Sequence, residues 1–188
     1  TALDLDLGKN LIGAFYQPRL VFSDIDFLKS LDKEQLSNGM AEVIKYAVIK
    51  DKKLFNFLEN KYKEIIRGDP AALEKIVGTC SNIKAKITSS DEREVLGLRT
   101  ILNFGHTIAH AIEAASGYRG YSHGQAVSLG MIAAIDLSSR LKLIDEKLAA
   151  RIEKLIKLYG LPFRLKGISS NKIIKAHYHD TKFSGTQN

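Results

Sequence analysis

The residues best suited to chemistry lie between positions 99 and 126, which contain three of the chain's five histidines. Asn103, His106 and His110 are separated by three and four positions, so a helix through them projects all three from one face. His123 follows after a loop that contains Gly and Tyr. Two imidazoles on consecutive helices suit zinc, but zinc needs at least one more protein ligand. The stretch therefore predicts part of a metal site.

A third ligand is available upstream, where Glu42 lies beside an apolar stripe in the helical pattern GMAEVIKYAVIKD. Glu42 and Lys45 are three positions apart, a spacing that more often marks an ordinary solvated ion pair on a helix surface. If Glu42 joins the two histidines, three protein ligands leave one zinc position open, which suits the polarisation of a substrate oxygen. The spacing alone leaves both interpretations open.

Several donors near the histidines are candidates for binding an anionic substrate, because converging cationic and amide groups recognise phosphate and carboxylate. They are Lys45, Lys84, Arg99 and Asn103. His110 suits proton transfer, since histidine titrates near neutrality, but it equally suits a hydrogen-bonded place in the core. Cys80 falls on the apolar stripe of a helix predicted over 71–90, and we interpret it as a small buried hydrophobe.

Composition and charge narrow the class of protein. With 188 residues, 45% hydrophobic side chains and three prolines, the chain is long enough for a buried core in one domain, at most two. One cysteine, no charged-then-apolar N-terminal segment and no membrane-length apolar run lead us to expect a cytoplasmic protein. The net charge of +7 is scattered among acidic residues, so we expect neither nucleic acid nor a membrane as a partner.

Periodicity predicts a mainly helical fold. Residues 1–22 indicate loop with one strand-like piece, and residues 23–188 indicate a helical metal- and substrate-binding domain. Ser37 and Asn38 are candidate caps for the helix that follows them.

Two further positions mark the later helices. The apolar stretch after the histidines predicts a buried helix in which Gly130 permits close packing. Asp145 is the candidate cap of the helix after it.

An ordered set of motifs resembles the 3-dehydroquinate synthase family. The motifs are LGKNLIGAFYQP at 7–18, NGMAEVIKYAVIKD at 38–51, DERE at 91–94, GLRTILNFGHTIAHAIEA at 97–114 and HGQAVSLGM at 123–131. They span nearly the whole chain, and LNFGHT followed by HGQAV is highly specific. The likeness is to the C-terminal, mostly helical half of that enzyme, whose family binds zinc and NAD in a cleft between two domains.

The resemblance implies a multi-helix domain that lacks the family's N-terminal Rossmann-like domain, because no parallel-sheet pattern or glycine-rich dinucleotide turn is found here. It implies a lyase of the shikimate pathway that converts the seven-carbon phosphate DAHP to 3-dehydroquinate and phosphate. Zinc, or another divalent metal such as cobalt, and NAD are the implied cofactors. The implied partners are the NAD domain and a second copy in a homodimer. Without the NAD domain, we expect no turnover.

Carried over position by position, the resemblance assigns roles to individual residues. The metal ligands are Glu42, His106 and His123. The substrate contacts are Asn10, Lys45, Lys84 (favoured over Lys86), Arg99, Asn103 and Lys182, and the proton-transfer residues are Glu94 and His110. The edge of the NAD site falls on Lys9, Phe27, Leu28, Lys29, Ser30 and Asn38.

The chain departs from the family pattern in four places. The segment between Lys84 and Arg99 is one residue longer than in many members. Gln125 and Ala109 stand where Glu and Gly are usual, which predicts differences in the orientation of His123 and in helix packing. Thr181 replaces a lysine next to Lys182.

Three other functions stay open on the sequence. Another sugar phosphate cyclase, of inosose or valiolone type, would share the metal site. A metal-dependent NAD alcohol dehydrogenase would share the two-domain plan. A truncated helical domain would bind zinc or an anion without turnover.

Overall fold

The computed structural model describes residues 2–5, 8–14 and 16–178, and these residues are mostly helical. Two strands, β1 (Ala2–Leu5) and β2 (Gly8–Gly13), precede the helices α1 (Lys33–Lys50), α2 (Lys52–Asn60), α3 (Tyr62–Ile66), α4 (Pro70–Ser90), α5 (His106–Ala115), α6 (His123–Arg140), α7 (Glu146–Leu158) and α8 (Ser170–Tyr178). Short 3-10 helices span Ile25–Ser30 and Leu98–Asn103. The prediction of a mainly helical fold is confirmed.

The sheet in the described part of the chain is a hairpin of β1 and β2. The strands are antiparallel, and Leu3 pairs with Ile12. The sequence predicted one strand-like piece here, and the chain instead folds back to form two. No parallel strands occur among the residues described, as expected for a domain of this type without a Rossmann-like sheet. Within the same residues, no helix is long and apolar enough to cross a bilayer.

Aspartate side chains cap the N-termini of four of the described helices. Each accepts a hydrogen bond from a backbone N–H of the first turn, which satisfies an otherwise unpaired donor and complements the helix dipole. The four residues are Asp32, Asp51, Asp69 and Asp145. The predicted cap at Asp145 is thus confirmed.

The prediction that Ser37 and Asn38 cap a helix is wrong. Asp32 caps α1, so both residues lie inside that helix. Their side chains instead reach other elements: the Ser37 hydroxyl donates to the Tyr159 carbonyl at 2.6 Å, and Asn38 Oδ1 accepts from the Gly124 N–H at 2.5 Å. Two polar side chains on α1 therefore tie it to the end of α7 and the start of α6.

The contact between α5 and α6 depends on two glycines. A Cβ on Gly130 would lie 1.9 Å from the carbonyl oxygen of Gly105, a distance no structure tolerates. Gly105 has a φ of +79°, and a Cβ there would lie 2.8 Å from the side chain of Met131. The predicted close packing at Gly130 is confirmed, and it fixes the point where α5 begins against α6.

A candidate metal and substrate site

The three predicted metal ligands converge on one point. Glu42 lies midway along α1, His106 is the first residue of α5, and His123 is the first residue of α6. One ligand atom from each residue lies within 4.8 Å of the others. The Glu42 Oε1 atom is 3.2 Å from Nε2 of His106 and 3.3 Å from Nε2 of His123. Residues far apart in sequence therefore present two nitrogens and one oxygen to a common centre.

The start of α6 is held against α1 by a glycine. A Cβ on Gly124 would lie 2.0 Å from the backbone oxygen of Asn38, so only glycine permits this approach. Asn38 is one helical turn before Glu42 on α1. Because the residue beside Gly124 is His123, the tight contact brings the imidazole next to the carboxylate.

A capping box completes the start of α6. Gln125 provides its side-chain oxygen, which accepts from the Ser122 N–H at 3.1 Å. This interaction is made equally well by Gln or Glu. The substitution of Gln for the family's usual Glu is therefore accommodated at the cap. Ala109, another of the departures, is fully buried in the core.

The charge of Glu42 is strongly stabilised. Burial by itself raises the pKa of this carboxyl, but hydrogen bonds from His106 and His123 and the charge of Lys45 outweigh burial and hold the pKa well below its usual range. The Lys45 ammonium lies 2.6 Å from Glu42 Oε2, and its side chain is only 5% exposed. The interpretation of Glu42 and Lys45 as an ordinary solvated ion pair on the helix surface is therefore wrong.

The imidazole of His123 lies between two carboxylates. Its Nδ1 is 3.3 Å from Glu113 Oε1, and its Nε2 is 3.3 Å from Glu42 Oε1. The hydrogen bonds to Glu113 and then to Glu42 raise the pKa of His123 to about 9, against the opposing effect of burial. The ring of His106 has a different second partner, since its Nδ1 is 3.3 Å from the carbonyl oxygen of Phe104.

The donor set fits a divalent transition metal. Two imidazole nitrogens and one carboxylate oxygen form the ligand set of zinc sites that keep an open position. Both imidazoles direct Nε2 toward Glu42 and have their Nδ1 atoms within hydrogen-bonding distance of oxygen acceptors, as metal-binding histidines do. The His123 side chain is 41% exposed, so the centre is open to solvent on that side.

An open cavity of about 560 Å³ lies next to this centre. Three predicted substrate residues, Lys45, Lys84 and Asn103, are among its lining residues. Tyr46 and Cys80 line it as well, and burial raises the pKa of each to about 12. The Cys80 thiol is therefore protonated at neutral pH, in line with its interpretation as a small apolar side chain, although it is only half-buried.

Asn103 reaches the cavity from a different element than predicted. It ends the 3-10 helix Leu98–Asn103, and the turn at Gly105 separates it from α5. A single helix through Asn103, His106 and His110 is therefore not formed. His110 lies one turn after His106 on α5, with its ring centroid 5.7 Å from that of His106 and nearly perpendicular to it.

Glu94 and Arg99 lie on the connection between α4 and α5. Arg99 Nη1 donates to the Glu92 carbonyl at 3.2 Å and lies 3.9 Å from Glu94 Oε2. Glu94 has a φ of +58°, a conformation that side chains rarely adopt and that occurs often at functional sites. Both residues lie outside the cavity lining given above.

A buried aspartate shapes this connection. The Asp91 carboxylate is 3% exposed and accepts backbone N–H groups of Leu96 at 3.1 Å and of Leu98 at 3.0 Å. Burial raises its pKa, but the backbone hydrogen bonds outweigh burial and lower it. Glu94 and Arg99, predicted separately for proton transfer and substrate binding, thus lie on a segment that Asp91 holds in place.

The residues predicted at the edge of an NAD site fall on the 3-10 helix Ile25–Ser30 and on α1. Phe27 is 77% exposed, whereas Leu28 packs against the core. Lys29 forms an ion pair with Asp26 at 2.8 Å, and the Ser30 hydroxyl donates to the Phe27 carbonyl.

Three predicted residues have no described side chain. Lys9 and Asn10 lie in β2, which is described for its backbone only at these positions. Lys182 lies outside the described residues, as does Thr181.

Sequence reasoning missed Glu113 and Asp91. Both are buried acids inside motifs quoted above but were given no role, Glu113 in GLRTILNFGHTIAHAIEA and Asp91 at the start of DERE. The available signal for Glu113 was its spacing, three positions after His110 and seven after His106, which places it near the histidine face of α5.

Comparison with known proteins identifies two family models along the chain. The model "3-dehydroquinate synthase C-terminal" matches residues 39–183, and the model "3-dehydroquinate synthase N-terminal" matches residues 1–38. Residues 39–183 include all three candidate metal ligands.

Curated relatives carry the same family name. The 3-dehydroquinate synthase of Desulforamulus reducens is 46% identical over 96% of this chain and 50% of its own length. That of Thermoanaerobacter sp. is 47% identical over 96% of this chain and 51% of its own. The chain thus spans about half the length of the curated relatives it matches.

Solved structures of two related enzymes share the fold. A 2-epi-5-epi-valiolone synthase from Streptomyces hygroscopicus subsp. jinggangensis, with NAD⁺ and Zn²⁺ bound, superposes with a TM-score of 0.86 at 26% identity, over 97% of this chain and 51% of its own. A 2-deoxy-scyllo-inosose synthase complexed with carbaglucose-6-phosphate, NAD⁺ and Co²⁺ superposes with a TM-score of 0.84 at 31% identity, over 96% of this chain and 49% of its own.

Proposed function

Because the chain belongs to the 3-dehydroquinate synthase family, we propose that it is the metal- and substrate-binding half of an enzyme that converts DAHP to 3-dehydroquinate and phosphate. The convergence of Glu42, His106 and His123 beside a cavity lined by lysines and an asparagine carries this proposal. The two related enzymes solved with Zn²⁺ or Co²⁺ and with NAD⁺ support both cofactors. A bound zinc ion would act as a Lewis acid on a substrate oxygen.

The substrate anions are bound by Lys45, Lys84, Arg99 and Asn103, and also by Asn10 and Lys182. Lys45 is the best supported of these, since it is buried at the centre with its ammonium against Glu42. Lys84, on α4, lines the same cavity from the opposite helix, whereas Lys86 is not among its lining residues. Two cationic groups and the amide of Asn103 around one opening suit a phosphorylated sugar acid.

Proton transfer is assigned to His110 and Glu94. His110 stacks edge-on with His106, which places it one turn behind the metal ligand and next to the site. Glu94, 3.9 Å from Arg99, is held in a rare backbone conformation on the segment fixed by Asp91. A base paired with a cation on a rigid connection suits transfer to or from a substrate oxygen.

NAD is bound mainly by a further domain, and this chain contributes the edge of that site through Lys9, Phe27, Leu28, Lys29, Ser30 and Asn38. The exposed ring of Phe27 supports this position, because an apolar ring open to solvent is suited to contact with a flat ligand or another domain. Residues 1–22 connect the two domains, and residues 23–188 form the helical one. A cytoplasmic homodimer is the assembly in which we place the complete enzyme.

The test is reconstitution with an NAD-binding half taken from a relative. The chain is co-expressed with the NAD-binding half of the Desulforamulus reducens relative, and zinc content and DAHP consumption are measured. We expect DAHP turnover and one zinc per chain from the assembly, and no turnover from this chain alone. His106→Ala and Glu42→Ala should lose both zinc and turnover, while Asp136→Ala, in an exposed ion pair with Arg140 outside the metal cluster, should keep both.

The outcomes separate the alternatives. Full zinc occupancy in His106→Ala or Glu42→Ala would contradict the ligand assignment. Turnover of sedoheptulose 7-phosphate or glucose 6-phosphate in place of DAHP would indicate a different sugar phosphate cyclase. Net accumulation of NADH would indicate a dehydrogenase, because a cyclase of this kind regenerates its NAD.

A further inference from the structure

We propose that Glu113 is a positioning residue of the metal centre, whose carboxylate holds the Nδ1 side of His123 so that Nε2 faces the metal. Glu113 Oε1 lies 3.3 Å from His123 Nδ1, at the contact between α5 and the first residue of α6. The inference rests on the proposed metal-binding function and adds a residue that is not itself a ligand.

The burial of Glu113 indicates a specific task. Its side chain is 4% exposed, compared with 32% for the ligand Glu42. A buried carboxylate is costly to desolvate, so it is retained where a partner compensates its charge. His123 is a partner within hydrogen-bonding distance of this carboxylate, and the pair joins α5 to α6.

The backbone of Glu113 is fixed as firmly as its side chain. Its carbonyl oxygen accepts from the Ser116 hydroxyl at 2.9 Å and from the Tyr118 N–H at 2.8 Å. These two bonds close the end of α5. The carboxylate therefore approaches His123 from a rigid support, which is what an orienting residue requires.

The contact fixes the chemistry of His123. An imidazole that donates its Nδ1–H to a carboxylate is held in one tautomer, with a more basic Nε2 available to a metal. His106 lies beside a backbone carbonyl instead. The two imidazoles are thus unequal, and His123 is the stronger electron donor of the pair.

The charged side chains around the candidate metal site also support a role for Glu113. Lys45 is buried beside Glu42, so a bound divalent cation would lie near a fixed positive charge. Glu113 supplies a second carboxylate, itself buried, on the far side of His123, which offsets that repulsion. Removing the charge of Glu113 should therefore lower the affinity for the metal without removing any ligand.

The experiment compares Glu113→Gln with Glu59→Gln. Glu59 pairs with Arg151 between α2 and α7, so its substitution removes a carboxylate from an ion pair remote from the metal cluster. Zinc affinity of the 188-residue chain is measured by competition with a chromophoric chelator, with circular dichroism as the check on folding. We expect Glu113→Gln to weaken zinc binding by roughly 10- to 100-fold, and Glu59→Gln to leave it unchanged.

The results distinguish this inference from the proposed function. Absence of zinc binding by the native chain would overturn both. Native binding with an affinity of Glu113→Gln within twofold of native would overturn the role of Glu113 alone. If Glu113→Gln does not fold, nitrogen NMR of the native zinc-loaded chain decides: a metal on Nε2 of His123 with a protonated, slowly exchanging Nδ1 supports the inference, and a metal on Nδ1 overturns it.

Discussion

At the scale of single residues, Lys45 stabilises the metal-free protein but would repel a cation bound at Glu42. Its ammonium compensates Glu42 in the metal-free protein, yet a bound cation would take over that task. We predict that Lys45→Met lowers the free energy of unfolding by about 2 kcal/mol without metal and by much less with zinc.

Urea unfolding with chelator and with saturating zinc measures the two values. Lys50→Met, at the exposed end of the same helix, is the matched control and should change neither. If Lys45→Met lowers the free energy of unfolding equally with and without zinc, a bound cation does not replace Lys45 as the partner of Glu42.

Residue types and spacing indicated two histidines and Glu42 as candidates for a metal site, and the family resemblance selected Glu42, His106 and His123, whose ligand atoms the structure brings together. They did not reveal Glu113 or the burial of Lys45. A lysine or glutamate in a helical pattern has the same local sequence whether it faces water or the core, because its burial depends on elements elsewhere in the chain. The burial of Glu113 and Lys45 is decided only by the packing of α5 and α6 on α1.

At the scale of elements, the glycine contact between α5 and α6 sets the distance between the two imidazoles. We predict that Gly130→Ala destabilises the chain by about 1–3 kcal/mol, because its methyl group meets the Gly105 carbonyl. Zinc affinity should fall as well, since His106 directly follows Gly105.

The control is Gly78→Ala on α4, where a Cβ meets nothing within 4 Å. This substitution should stabilise the helix by about 0.5–1 kcal/mol and leave zinc affinity unchanged. Denaturant unfolding and chelator competition provide both readouts. Equal stability of the two glycine variants would show that the α5 and α6 contact relaxes freely.

Helix interiors were predictable and helix starts less so. The sequence located the cap at Asp145 and the small residue at Gly130, but placed the start of α1 at Ser37 and Asn38. Polar residues of that kind are equally suited to bonding neighbouring elements, and here they bond to Tyr159 and Gly124. Such long-range bonds have no signature in the local sequence.

At the scale of the whole molecule, one group of exposed apolar side chains lies early in the chain. Tyr16, Phe22 and Phe27 are 83%, 84% and 77% exposed, and the chain spans about half the length of its curated relatives. Exposed apolar surface of this kind marks contact with another domain or chain. Under the proposed function, this is surface that an NAD-binding half would cover.

We therefore predict that the isolated chain self-associates, and that Phe22→Ser with Phe27→Ser makes it less prone to do so without lowering its stability. The reason is that each buried aromatic ring contributes roughly 25 cal/mol per Å² to association, while both rings are solvated in the monomer. Light scattering over a concentration series measures the association. Leu143→Ser, in the turn before α7 and 72% exposed, is the control and should leave association unchanged. Co-expression of the NAD-binding half should suppress self-association of the native chain. If the chain still self-associates in that complex, the surface that mediates association is not the one containing Phe22 and Phe27.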